Sequence, residues 1–228
     1  MTAARTGAVP CAAFDLDGTL VRGSSFGQFV RLLIGRSPLR LMVAVIAAPV
    51  TGLLAVAPLT RRGSGAAYVW LATFGRTEQE LRRRARTFAT WHAGAESGNQ
   101  IDIALRRLAE HQQAGHLVVV LTAAVEPVAS EVVRALGIPG VEVVAPSLRP
   151  FLNGWIPNAG RKGAGKVDRL RAAGHQLPVD HAYTDSPDDV ALLLVARHRY
   201  AVEPRPGQWR ALRAAVPDVR ILTSAGLR

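Results

Sequence analysis

This chain has little cysteine and few aromatic residues, and its first ten residues lack the apolar run of a signal peptide. Cys11 is the only cysteine, which excludes an intrachain disulfide and fits a reducing compartment. Residues 1–10 contain no apolar run of signal-peptide length, so we expect no secretory signal. Aromatic residues make up 6% of the chain and rarely alternate with basic ones, which argues against a nucleic-acid partner. The cysteine and signal observations are compatible with a cytoplasmic location, which is the alternative to the membrane location considered below.

Acidic residues are also few, and their shortage is local. The net charge is +11, and residues 22–92 hold eleven arginines against Glu78 and Glu80, which gives that segment +9. The segment is either a solvated arginine-rich face or a surface for a polyanion such as anionic lipid. The length of 228 residues allows one well-packed core and a modest additional domain.

The stretch from Val9 to Leu20 carries the first indication of chemistry. Val9 to Phe14 predicts a buried strand, which ends in two carboxylates, Asp15 and Asp17. Ligands of open α/β sheets bind at that end of the strands. Two acids there can hold a hard cation such as Mg²⁺, and one can attack phosphorus as a nucleophile. A bare Asp-x-Asp would more simply cap a turn, but the full string Phe-Asp-Leu-Asp-Gly-Thr-Leu favours catalysis.

That string resembles the first motif of the haloacid-dehalogenase superfamily of aspartyl-phosphate hydrolases. A second similarity is Thr122, which follows the apolar run 116–121. The resemblance implies that its hydroxyl binds a phosphoryl oxygen. A threonine there can also cap the following helix, predicted over 126–136, and both roles are compatible.

Two later stretches complete the resemblance. Lys166 opens a helix after the glycine-rich run 160–165 and is similar to the lysine of the third motif, with Lys162 as the rival candidate. Asp185 and Asp189 match the spacing of the metal-binding acids of the fourth motif. Asp188 falls outside that spacing, and we expect it to cap the next helix. The six histidines show no metal-ligand spacing, and none needs a catalytic role.

The resemblance implies a mechanism and a cofactor. Asp15 would attack phosphorus, while Asp17 would protonate the leaving alcohol and later activate water. Mg²⁺ would be the cofactor. Asp189 would either bind the ion directly or contact one of its direct ligands. The implied catalytic residues are Asp15, Asp17, Thr122 and Lys166, and the implied metal ligands are Asp15, the backbone carbonyl of Asp17, Asp185 and Asp189.

The expected fold is α/β: a Rossmann-like core with a parallel sheet and helices on both faces, and an all-helical cap inserted after the first strand. We assign residues 1–21 and 99–228 to the core and 22–98 to the cap. The expected helices of the inserted segment cover 25–35, 66–75 and 77–91. Ser24 or Ser25 could cap the first of them, and Thr77 to Glu80 resembles a capping box at the start of the last. The expected core elements are strands at 116–121, 141–145, 180–184, 199–203 and 219–222, a hairpin at 148–157 with Asn153-Gly154 between its apolar flanks, and helices at 100–115, 126–136, 188–196 and 207–215.

Residues 41–59 contain no charge and are bracketed by arginines. As a single transmembrane helix they would place Asp15 and the later motifs on opposite sides of a bilayer. The run Pro49 to Gly52 instead predicts a break between short helices at 42–48 and 53–59. We expect this hairpin to dip into one face of the membrane; the alternative is a hairpin buried in the cap.

The expected substrate follows from this cap. Its details resemble the phosphatidylglycerophosphatase C group of the phosphoserine-phosphatase-like branch, which implies an anionic phospholipid phosphate as substrate and a membrane surface as partner, on the cytoplasmic side of the cell membrane. Alternatives are a soluble phosphatase for phosphoserine or another small metabolite, and a non-catalytic phosphate sensor. The stretches that carry this finer resemblance are 26–29, 41–59, 73–75 and 198–200.

Overall fold

The computed structural model describes residues 9–56, 61–158 and 165–227. These ranges leave out three stretches discussed above: most of residues 1–10, the 57–59 end of the apolar run, and Lys162 with its neighbours.

The described chain has a mixed α/β fold, which confirms the expected class. Its strands are β1 Cys11–Phe14, β2 Leu117–Leu121, β3 Glu142–Val144, β4 Leu148–Phe151, β5 Gly154–Pro157, β6 Val179–Thr184, β7 Ala196–Val202, β8 Arg220–Thr223 and β9 Gly226–Leu227. Its helices are α1 Ser25–Gly35, α2 Pro38–Val56, α3 Arg61–Thr73, α4 Glu78–Ala93, α5 Asp102–Gln113, α6 Val128–Ala135, α7 Lys166–Ala172, α8 Val190–Leu194 and α9 Pro206–Ala215.

Seven strands form the main sheet, in the order β3-β2-β1-β6-β7-β8-β9. All neighbouring strands are parallel except the β8–β9 pair. Strand β1 is buried along its whole length because both sheet faces are covered: Ala12 and Phe14 pack toward α1, α4, α5 and α6, and Ala13 packs toward α7, α8 and α9. Uninterrupted apolar strands are typical of such doubly covered parallel sheets. The carboxyl ends of β2, β1 and β6 therefore meet at one edge.

Helices α1 to α4 follow one another between β1 and α5, as the sequence predicts for the inserted segment. The Ser24 hydroxyl accepts a hydrogen bond from the Gly27 N–H and caps α1. The Thr77 hydroxyl accepts one from the Glu80 N–H and caps α4. The boundaries of the core and cap domains remain a prediction.

Helix α2 corrects the expected hairpin. It runs without a break from Pro38 to Val56, with Pro49 inside it. A proline removes one donor from the helical ladder, and a helix that packs against both α1 and α3 tolerates that loss. None of the helices in the described part of the chain has the length and apolar character needed to cross a bilayer. The side chains of Leu39, Val45 and Ile46 are nevertheless 66%, 63% and 70% exposed.

The β4–β5 hairpin packs against helix α3. Its strands pair as predicted, but Leu152 and Asn153 form the turn and Gly154 lies in the strand. The Trp70 indole N–H on α3 donates to the carbonyls of Phe151 and Leu152, at 3.2 Å each. A Cβ on Gly154 would lie 2.7 Å from the Trp70 ring, so only glycine permits this contact. The hairpin therefore packs closely against α3.

Candidate active site

Asp15 stands at the carboxyl end of the central strand β1. Phe14, the last residue of that strand, stacks on Tyr183 of β6 with ring centroids 4.2 Å apart. The Asp15 N–H donates to the Tyr183 carbonyl at 2.9 Å, which extends the sheet hydrogen bonding to Asp15 itself. Asp15 is 5% exposed. The strand thus delivers a desolvated carboxylate to the edge where β2, β1 and β6 end.

Lys166 joins Asp15 to Asp189. Its ammonium group donates to Asp15 Oδ1 and, at 2.6 Å, to Asp189 Oδ2. The same Asp189 oxygen accepts a hydrogen bond from the Thr184 hydroxyl at 2.8 Å. Lys166 is the first residue of α7, and Asp189 ends the short 3₁₀ turn after β6. The structure therefore brings together three residues that the sequence places up to 174 positions apart.

Burial dominates the electrostatics of this cluster. Desolvation raises the pKa of Asp15, and Asp189 raises it further, although Lys166 opposes both. For Lys166, burial lowers the pKa, but the two carboxylates outweigh burial and the net pKa is raised. The lysine therefore stays protonated and supplies the positive charge that makes a buried carboxylate nucleophile tolerable.

Asp17 is held by the start of α1. Its Oδ1 accepts hydrogen bonds from the Ser25 N–H at 3.0 Å and from the Ser25 hydroxyl at 2.5 Å. Ser25 Oγ lies 3.2 Å from Nε2 of His92, which is fully buried on α4. Burial raises the pKa of Asp17, while the Ser25 hydrogen bonds lower it. A raised pKa suits a carboxyl group that must give up and take back a proton.

Asp185 approaches the backbone of the first motif. A Cβ on Gly18, whose φ is +87°, would collide with the Asp185 carboxylate, so a side chain at position 18 would close this space. Asp185 Oδ1 is buried and has no hydrogen-bond partner within the described ranges. Burial raises the pKa of this carboxyl group as well. An orphaned buried carboxylate oxygen is the kind of donor that a hard cation would satisfy.

Thr122 lies at the end of β2, beside β1, and is 1% exposed. Its hydroxyl accepts a hydrogen bond from the Ala124 N–H at 3.0 Å, and its carbonyl accepts one from Arg169 at 3.2 Å. The hydroxyl therefore closes a local turn, whereas α6 begins later, at Val128, without a side-chain cap. The predicted phosphoryl contact of Thr122 remains a prediction.

The structure corrects one expected role and adds three residues to the site. Asp188 is exposed and does not cap the next helix, because α8 begins at Val190 without a side-chain cap. The Ser186 hydroxyl instead caps the preceding 3₁₀ turn by accepting a hydrogen bond from the Asp188 N–H at 3.2 Å. Sequence reasoning assigned no site role to Ser25, His92 or Thr184. Their signals were weak, because a serine at a helix start predicts a cap and a histidine among apolar positions predicts a core residue.

Comparison with known proteins shows the family to which the chain belongs. A family model described as haloacid dehalogenase-like hydrolase matches residues 12–194. The chain belongs to that family. This hydrolase is therefore an enzyme whose matched region contains Asp15, Thr122, Lys166 and Asp189.

Solved structures share the fold of this hydrolase. One is a protein of unknown function from Bordetella pertussis Tohama I, with 23% identity, a TM-score of 0.69, and coverage of 93% of this chain and 98% of that chain. A substrate-bound phosphoserine phosphatase complex has 15% identity, a TM-score of 0.55, and coverage of 90% and 91%. A phospho-aspartyl intermediate analogue of phosphoserine phosphatase has 15% identity, a TM-score of 0.54, and coverage of 89% and 90%. These matches do not confirm the finer resemblance to phosphatidylglycerophosphatase C.

Proposed function

We propose that this hydrolase is a Mg²⁺-dependent phosphatase that cleaves phosphomonoesters through an aspartyl-phosphate on Asp15. The observation that carries the proposal is the shared contact of Lys166 with Asp15 and Asp189 at the end of β1. A carboxylate repels a phosphate dianion, so a nucleophilic Asp15 needs fixed positive charge beside it. Lys166 supplies that charge and is itself oriented by Asp189.

In the proposed mechanism Asp15 attacks phosphorus, the bond to the alkoxy oxygen breaks, and Asp17 protonates the departing alcohol. Asp17 then takes a proton from water, which attacks the aspartyl-phosphate and releases inorganic phosphate with the Asp15 carboxylate restored. Ser25 holds Asp17 through both transfers. The Thr122 hydroxyl would donate a hydrogen bond to a phosphoryl oxygen while it still accepts one from the Ala124 N–H.

The second acid distinguishes phosphate chemistry from dehalogenation. A halide leaves without a proton, whereas an alkoxide leaving group is strongly basic and benefits from a general acid. Asp17 is buried, has a raised pKa and is held by two hydrogen bonds, so it is positioned for proton transfer. We therefore favour phosphomonoester hydrolysis.

The residues fit a hard cation. Asp185 offers a buried carboxylate oxygen without a partner in the described structure, next to the Gly18 backbone. Asp15, the Asp17 backbone carbonyl and Asp185 would hold Mg²⁺, and we assign Asp189 an indirect role because Lys166 and Thr184 already occupy its Oδ2. When bound, the ion would supply Lewis-acid neutralisation of phosphate charge.

For the substrate, a small soluble phosphomonoester such as phosphoserine is the first candidate. The phosphoserine phosphatase structures cover about nine-tenths of this chain, which includes most of the inserted helices. A lipid phosphate at a membrane surface is the second candidate. It is favoured by the exposed apolar side chains of α2, such as Val45 and Ile46, on a segment of strongly positive charge.

Turnover of phosphomonoesters with Mg²⁺ tests the reaction. Asp15→Asn should abolish phosphate release and leave the circular dichroism spectrum unchanged, while Asp188→Asn, the same change at an exposed acid outside the site, should retain full activity. Substantial residual turnover by Asp15→Asn would refute the assignment. Absence of turnover by the parent on every substrate would instead support a phosphate-sensing module.

A substrate panel with and without lipid vesicles separates the two candidates. Efficient hydrolysis of phosphoserine or another small phosphate without lipid supports the first. Activity confined to phosphatidylglycerophosphate-like lipids, reduced by Val45→Ser with Ile46→Ser, supports the second. The matched control is a serine pair at exposed Leu152 and Leu194, which lie outside α2.

A further inference from the structure

Three histidines converge at the opposite end of the sheet from Asp15. His111 lies near the end of α5, His116 directly precedes β2, and His181 lies within β6, paired with Ala12 of β1. One ring nitrogen from each can be chosen so that all three lie within 4.8 Å of one another. His181 precedes Asp185 by four positions, or about 13 Å along an extended strand. The cluster is therefore separate from the active site.

The buried member of the cluster is oriented by its contacts. His111 Nε2 lies 2.9 Å from the Tyr183 hydroxyl, and its Nδ1 lies 2.8 Å from Nδ1 of His116. When Nε2–H donates to Tyr183, the Nδ1 lone pair of His111 faces the other two rings. His181 Nδ1 is buried without a hydrogen-bond partner among the residues described. One unsatisfied ring nitrogen, His181 Nδ1, therefore lies close to the hydrogen-bonded pair of His111 and His116.

We propose that His111, His116 and His181 bind a zinc ion, with water as the fourth ligand. Imidazole nitrogen is a preferred ligand of Zn²⁺, and three histidines with one open position form a recognised zinc geometry. Tyr183 supplies the outer hydrogen bond that ligating histidines usually make. The proposal requires no change in the catalytic ion, because Mg²⁺ prefers oxygen ligands.

The geometry needs only a small adjustment. Ligands 2.0–2.1 Å from a tetrahedral zinc lie about 3.3 Å apart. Separations of up to 4.8 Å must therefore close by at most about 1.5 Å, and the 2.8 Å between His111 Nδ1 and His116 Nδ1 must open by about 0.5 Å. His116 and His181 are half-buried, whereas His111 is buried and contacts the Tyr183 hydroxyl. The three ligands would connect α5, β2 and β6.

The surroundings are compatible with a cation. Burial and the neighbouring histidines lower the pKa of both His111 and His181 to about 4, so both rings are neutral at pH 7. Arg107 is the nearby positive charge, and it is paired with Glu110 at 2.6 Å. Asp180 adds negative charge beside His181.

Zinc binding by the full chain, purified without a histidine tag and stripped with a chelator, tests the proposal. Calorimetric titration with Zn²⁺ alone should give one site per chain. Thermal denaturation with free Zn²⁺ at a hundred times Kd should show Tm raised by about 5 °C. Co²⁺ should produce the visible absorption of a tetrahedral nitrogen site. A folded parent that binds no zinc overturns the proposal.

Variants locate the site. His116→Gln and His181→Gln should each weaken zinc binding at least tenfold, and His116, at the strand end, is the safer change for folding. His198→Gln is the matched control, because His198 stacks on His181 at 4.9 Å but is not in the ligand set. Asp185→Asn should leave zinc affinity unchanged. Zinc affinity that survives His116→Gln, or that is lost in Asp185→Asn, contradicts the assignment.

Discussion

Ser25 donates both its backbone N–H and its hydroxyl to the same oxygen of Asp17, at 3.0 and 2.5 Å. The first residue of α1 thereby controls the carboxyl group to which we assign both proton transfers. Because these hydrogen bonds stabilise the ionised form, they lower the pKa of Asp17 against the rise that burial causes. The inserted helices thus contribute Ser25 and His92 to the surroundings of Asp17.

Ser25→Ala removes the hydroxyl and keeps the N–H. The pKa of Asp17 should rise, so the limb of the pH–kcat profile that requires ionised Asp17 should move to higher pH. We expect a roughly tenfold lower kcat at neutral pH. Ser24→Ala is the control: it removes only the α1 cap, costs about 1 kcal/mol of stability, and should leave the profile in place. A profile that does not move in Ser25→Ala would show that the hydroxyl does not tune Asp17.

His92 contacts Ser25 and is not hydrogen-bonded to Asp17 itself. Its Nε2–H can donate to Ser25 Oγ at 3.2 Å, which directs the serine proton to Asp17. His92→Gln offers a replacement amide donor, whereas His92→Phe removes the donor and retains the stacking on Phe88. We expect the phenylalanine variant to lose several-fold in kcat with unchanged KM, and the glutamine variant to recover part of that loss. Equal kinetics for the two variants would contradict a role for the N–H.

Lys166→Met should abolish activity and destabilise the fold. It leaves Asp15 and Asp189 buried without their shared cation, a change that typically costs about 3–5 kcal/mol. Adding Asp15→Asn should recover part of the stability, because one buried carboxylate is removed, but no activity. Urea denaturation of the two single variants and the double variant measures this coupling. Additive stability effects would rule out the buried contact as the cause.

Gly154→Ala tests the contact between the hairpin and α3. The new methyl would lie 2.7 Å from the Trp70 ring, so the hairpin or the indole must shift. We expect a loss of about 1–3 kcal/mol in the free energy of unfolding. Gly207→Ala, in open space within α9, should be neutral or slightly stabilising. Unchanged thermal stability of Gly154→Ala would mean that the contact is loose in solution.

Acid should destabilise the metal-free protein through its buried histidines. The pKa of His111 is lowered to about 4, so the unfolded chain binds a proton more readily and stability falls as the pH drops from about 6.5 toward 4. His111 alone contributes up to about 2 kcal/mol of this loss by pH 5. Stability is fully retained above pH 7. Denaturation at several pH values measures the slope, which should be smaller in His111→Asn than in the parent.

Local sequence patterns were sufficient to predict many of the strands and helices. Strand β1, the capped helices α1 and α4, and the paired strands β4 and β5 were predicted because apolar periodicity and capping residues act over a few positions. Lys166 was expected to open α7, and it does. Asp15, Lys166 and Asp189 were expected at one site by resemblance, and their convergence follows from strand order.

The remainder depended on packing. Pro49 predicted a break, but the contacts of α2 with α1 and α3 outweigh one missing backbone donor. Asn153-Gly154 predicted the turn, but Trp70 requires the glycine in the strand. The pairing of Ser25 with Asp17 and the convergence of His111, His116 and His181 involve residues that no sequence spacing connects. Composition and periodicity determined which segments became strands and helices, while the tertiary structure decided which polar groups share a buried space, because desolvation and hydrogen bonding depend on neighbours from other parts of the chain.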